Sequence, residues 1–196
     1  SGRDLRWCQG NMQYWRLVGL PGLLPISRFQ LIWAISMFIG LPASQLMLAL
    51  AALKPFDGEA ASAFPANSAI GFLLVYLLVG LAPKLAGYFD VVLGRETARY
   101  GGARLFAIGG ALEILASYLL SAATAFRTSL FLVGLPFGRD LSWGGQRRDA
   151  GAVSWGAALA TFWPGTLFGV VTLALIGVGA PSAIGYALPF VAGLVV

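Results

Sequence analysis

Residues 31–53 read LIWAISMFIGLPASQLMLALAAL, 23 consecutive positions without a charge. At about 1.5 Å of rise per residue a helix of that length reaches roughly 35 Å, enough to cross a hydrocarbon core of about 30 Å. The same character pervades the chain. Of its 196 residues 58% are hydrophobic and 11% charged, with a mean hydropathy of +0.80, whereas an ordinary soluble domain carries about 25% charged residues. A chain this short leaves much of its surface in contact with solvent and cannot hide such a composition in one core. The solvent is therefore lipid. With no His and one Cys, Cys8, a His/Cys metal site, a Ser-His-Asp triad and an intrachain disulfide are excluded.

The charges describe topology. Although the net charge is +5, the basic residues fall into blocks separated by apolar runs and share no face suited to nucleic acid. Residues 1–30 carry Arg3, Arg6, Arg16 and Arg28 against Asp4. After the first span comes a slightly acidic loop with Lys54, Asp57 and Glu59, then a second apolar run from 66 to 83, with a continuation to 93 left open. A basic block follows, Lys84, Arg95, Arg99 and Arg104 against Asp90 and Glu96. The positive-inside rule places 1–30 and 84–104 in the cytoplasm and 54–65 outside.

Residues 105–137 are apolar but contain Glu113 and Arg127, and the stretch 138–154 behind them carries Arg139, Arg147 and Arg148. A single crossing would put those arginines outside, so the preferred form is an interfacial helix or re-entrant hairpin that begins and ends in the cytoplasm, with a single crossing as the alternative because charge bias is statistical. Further spans are expected at 155–178, kinked at Pro164-Gly165, and at 184–196, joined by a short outer turn at 179–182. The fold class is all-α: a polytopic transmembrane helix bundle with a cytoplasmic interfacial helix or re-entrant segment. No fixed-period repeat occurs, and residues 1–30 lack the continuous apolar core of a secretory signal. The chain opens on Ser1 and stops in an apolar run, which reads as a piece of a longer protein.

The segment before the first span, RDLRWCQGN at 3–11, admits two readings. It is either a juxtamembrane helix whose arginines meet anionic lipid and whose tryptophans sit at the headgroups, or a sugar and phosphate site. In the second case an indole stacks on a pyranose, Arg6 binds a diphosphate bidentately, and Gln9 and Asn11 offer amides to hydroxyls.

Arg6-Trp7, with Arg3 upstream, resembles the Q-x-x-R-W motif of processive, membrane-embedded inverting glycosyltransferases such as cellulose synthase. The longer run RWCQGN at 6–11, GLLPISRFQLIWAISMFIGLPA at 22–43, LAPKLAGY at 81–88, Glu113, Gln146-Arg147-Arg148-Asp149 and Trp155 together resemble the glucans biosynthesis glucosyltransferase H family. These bacterial inner-membrane enzymes build the glucose backbone of osmoregulated periplasmic glucans. The resemblance covers essentially the whole chain.

It implies that Trp7 stacks on the acceptor sugar at the mouth of a translocation channel while Arg6 helps hold the nucleotide diphosphate. Arg3 stands where the broader motif has Gln, which leaves no amide-specific contact there. Because the chain has no D-x-D and no T-E-D motif, the resemblance assigns the divalent cation, Mg2+, and the catalytic base to an upstream cytosolic domain, with residues 1–30 as that domain's end and 31–196 as the channel region. The loop 138–154, with Gln146, Arg147, Arg148, Asp149 and then Trp155, holds the position of a gating loop; its other reading is a basic inner loop that fixes topology. Candidate channel liners are Ser44, Gln45, Tyr76 and Tyr118. The implied partners are UDP-glucose, the growing glucan, membrane lipid and a periplasmic glucan-processing protein. Two rivals stand beside this reading: another processive synthase of cellulose or hyaluronan type, and a non-catalytic membrane transport subunit.

Overall fold

The computed structural model describes residues 2–57, 66–141 and 154–195, and helix dominates them, with no strand. Two short helices, α1 (Gly2–Gln13) and α2 (Trp15–Val18), precede α3 (Pro25–Leu53), which begins on a proline at its first turn and runs on past Leu31 to the expected end. Next come α4 (Ala66–Leu93), α5 (Ala103–Gly134), α6 (Trp155–Gly179) and α7 (Ile184–Val195). The apolar run beginning at 66 does continue to 93. Segments within α3, α4, α5 and α6 are long and apolar enough to cross a membrane, whereas α7 is shorter. Their outward surfaces are apolar, with Met47, Phe72 and Phe137 largely exposed, as a lipid solvent requires.

Residues 103–134 form one unbroken helix, so the re-entrant hairpin is not adopted, and the interfacial helix and the single crossing are the forms that fit it. A hairpin needs a turn inside the segment, and the positive-φ glycines that turn the chain lie at its two ends, Gly101 and Gly102 before the helix and Gly138 after it.

Lipid tails are as apolar as the side chains of a core, so these helices associate by close packing and not by hydrophobic transfer. α7 shows this most clearly. Val191 and Leu194 are buried against the α6 face that carries Gly169, where a Cβ would stand 2.9 Å from Leu194 Cβ and 3.3 Å from Val191 Cγ1. Gly193 lies against the α5 backbone at Leu119. A core of Ala52, Ile176, Ala187 and Val191 joins α3, α6 and α7. At one end of the bundle Gly179 sits on Pro55 and Phe56, which places the ends of α3 and α6 side by side. At another, α1 packs against α5 and α3.

Candidate functional site

One face of α1 is apolar and docked. Leu5 and Cys8, three residues apart, are buried with Phe131 of α5, and Phe38, Leu132, Leu135 and Leu141 pack around them. Burial pushes the Cys8 thiol up to about 11, because its surroundings disfavour the thiolate. Positions 3, 7 and 11 recur at the helical spacing of four on another face. Arg3 is exposed, Trp7 is 65% exposed, and the Asn11 side-chain amide donates to the Trp7 carbonyl at 2.8 Å. That bond occupies Asn11 locally and leaves its amide oxygen for other partners. The Arg3 Nε lies 3.7 Å from Asp4, and Arg6 is half-buried beside this face.

Gln9 points elsewhere. Its Oε1 accepts the backbone N–H of Leu141 at 3.0 Å, across 132 residues of sequence. The Arg-Trp helix therefore meets the first residues after α5. Gln146, Arg147, Arg148 and Asp149 lie outside the described residues. Trp155 opens α6 and is 87% exposed; the helix start behind it is capped by Ser154, whose Oγ accepts the Ala157 N–H at 3.3 Å, the expected use of a Ser at an N-cap.

Glu113 does not rely on Arg127. Lys84 of α4 reaches its Oε1 at 2.5 Å, Tyr88 donates to Oε2, and Ser117 donates to Oε1 at 2.7 Å. This cluster ties α4 to α5. The legible sign of it was a pair of polar positions four apart on each helix, 84 and 88 against 113 and 117. Gly110 lies beside it, where a Cβ would stand in ordinary contact with the Tyr88 ring at 3.5 Å. Of the proposed channel liners, Tyr76 packs its ring on Phe190 at 5.3 Å, Ser44 donates back to Leu41, and the buried Oε1 of Gln45 has no hydrogen-bond partner among the described residues. Among the described residues no three Asp, Glu or Cys side chains gather into a metal site.

These features define a class: a multi-pass helical membrane domain with an aromatic- and arginine-bearing helix docked at one end of its bundle. No family model and no solved structure matches the chain. Curated proteins do. The chain is 30% identical over 209 residues to "Glucans biosynthesis glucosyltransferase H" of Xanthomonas campestris pv. campestris, covering 99% of this chain and 32% of that protein. Proteins of the same name from Vibrio cholerae (36% identical, 77% of this chain, 23% of theirs) and Shewanella baltica (32%, 78% and 23%) also match. The chain is thus homologous to glucans biosynthesis glucosyltransferase H and spans about a third of the length of the first of these relatives. With its four long apolar helices it is a multi-pass inner-membrane protein.

Proposed function

We propose that this chain is the membrane part of a UDP-glucose-dependent glucosyltransferase that builds and exports the glucose backbone of osmoregulated periplasmic glucans, and that α1 is the acceptor-site edge. The observation that carries this reading is the junction at Gln9. It joins the Arg-Trp helix to the first residues after α5 while Trp7 stays exposed, and the apolar face of α1 is already spent on Leu5 and Cys8.

On this reading the indole of Trp7 stacks on the apolar face of the terminal glucose, and Arg6 and Arg3 face the donor diphosphate, whose charge a guanidinium matches bidentately. Inverting transfer deprotonates the acceptor hydroxyl as it attacks the anomeric carbon and the diphosphate departs. A divalent cation offsets leaving-group charge in such chemistry. Both that cation and the base belong to parts of the enzyme beyond these residues. The loop with Gln146, Arg147, Arg148 and Asp149 closes over the donor, and Trp155 flanks it.

The topology supports the same arrangement. Gln9 and Leu141 are neighbours at one end of the bundle, and Gly179 lies on Pro55 at another, which fits an inner side that carries α1 and the end of α5 and an outer side that carries the ends of α3 and α6. If α3 and α4 each cross once, α5 begins and ends on the side of α1, as an interfacial helix would. In the full-length protein supplied with UDP-glucose, Trp7→Ala should insert normally, retain donor hydrolysis and lose chain extension. Glucan formation at the unaltered rate would overturn the acceptor role and return Trp7 to the lipid interface.

A further inference from the structure

A cavity of about 280 Å³ lies between α5, α6 and α7, with walls that include Phe126, Leu130 and Phe162 and a single charged residue, Arg127. An apolar cavity of about 150 Å³ already accepts a benzene-sized hydrocarbon, so this one takes a longer apolar group. It opens sideways toward lipid, since Phe162 on its rim is 49% exposed and Leu130 42%. Thr161 and Thr166 also line it; their hydroxyls donate to Ala157 and Phe162 carbonyls and leave oxygen lone pairs that only accept.

Arg127 differs from the other charge on α5 that faces apolar surroundings. Glu113 has Lys84, whereas Arg127, half-buried, makes no hydrogen bond or ion pair with any described residue. A guanidinium kept in such surroundings needs an anion. An α5 lying at the membrane surface carries Arg127 at headgroup depth, and an α5 that crosses carries it seven residues, about 10 Å, from its end at Gly134, where its long side chain reaches the headgroups. The exposed Trp155 at the start of α6 is the kind of ring that marks this level.

We infer that the α5–α6–α7 cavity is a binding site for an anionic phospholipid, with the phosphate on Arg127 and part of an acyl chain against Phe126 and Phe162. Charge complementarity and an apolar cleft beside one cation fit an amphiphile. A free inorganic anion would leave the apolar wall empty.

The test uses the full-length protein purified in mild detergent and analysed by native mass spectrometry with phosphatidylglycerol, with phosphatidylcholine of the same chains, and with inorganic phosphate. The wild type should retain phosphatidylglycerol in preference to phosphatidylcholine. Arg127→Gln should weaken its retention at least tenfold, Arg127→Lys should keep most of it, and Ala123→Leu, which narrows the apolar part with Arg127 in place, should also reduce it. Undiminished phosphatidylglycerol on a well-folded Arg127→Gln would overturn the proposal. Displacement of the lipid by inorganic phosphate would overturn it equally, as would equal retention of the two lipids by the wild type.

Discussion

Gly193→Ala should separate two helices that now touch backbone to backbone. A Cβ on Gly193 would lie 2.1 Å from the Leu119 carbonyl oxygen, 2.7 Å from its carbon and 2.8 Å from its Cα. Ordinary contact begins at 3.4 Å, so α7 has to retreat locally by about 1.3 Å, and the obstacle is backbone that has no rotamer to change. A gap of about 1 Å forfeits up to half of the dispersion attraction of the atoms it separates, and those atoms include the buried Val191 and Leu194. Overpacking of this kind costs about 1–3 kcal/mol, and an unyielding carbonyl puts the site at the upper end. Alanine also gains about 1 kcal/mol over glycine in a helix. Gly80→Ala in α4, where nothing lies within 4 Å of the new methyl, makes the same gain without the clash. Comparing the two isolates the packing cost. Thermal unfolding of the detergent-purified protein should place Gly193→Ala below Gly80→Ala by roughly 6–12 °C, at about 2–4 °C per kcal/mol for a chain of this size. Equal midpoints would refute the close approach of α7 to α5.

Four further outcomes follow from the same geometry. Cys8, with its thiol raised from 9.0 to about 11, should react with a maleimide at pH 8 at least a hundredfold more slowly in the folded than in the denatured protein, since two pKa units remove about that much thiolate; equal rates would show that α1 is not docked. Its neutral thiol contributes stability that is fully present below pH 9.0 and is lost as pH rises through about 11, so the apparent melting temperature of the wild type should fall across that window relative to Cys8→Ala. Lys84→Met and Glu113→Leu should each destabilise the protein more than the double variant does, because either alone strands a charge among apolar neighbours; additive losses in a thermal cycle would count against the α4–α5 ion pair. Cysteines placed at Arg99 and Ser142 in a Cys8→Ala background should both resist a periplasm-restricted thiol reagent, and labelling at Arg99 alone would mean that α5 crosses the membrane.

Local chemistry was readable from the chain. The uncharged run at 31–53, the turn before Ile184 and the start of α6 at Trp155 all follow from composition and capping, and each lies where expected. The shape of 103–134 was harder, because Arg139, Arg147 and Arg148 behind it argued against a crossing and Glu113 and Arg127 against mid-membrane depth, while nothing in the pattern distinguished a hairpin from the single helix that forms. Partners distant in sequence were not readable. Nothing in RWCQGN announces that Gln9 faces Leu141 while Trp7 faces away, because the difference depends on which stripe of α1 meets Phe131. Glu113 was visible as a costly charge, but the lysine that offsets it sits on another helix, behind Pro83. The tight α5–α7 contact was equally hidden, since Gly193 is one of 26 glycines and only its neighbour distinguishes it.

The claim that α1 holds the acceptor is tested most directly by a photoreactive phenylalanine analogue at position 7 of the full-length protein, irradiated while glucan is made from radiolabelled UDP-glucose. Label on the protein at position 7, absent when donor is withheld and absent with the analogue at the equally exposed Trp15, is the predicted result. Cross-links to lipid alone at position 7, during active synthesis, would contradict it.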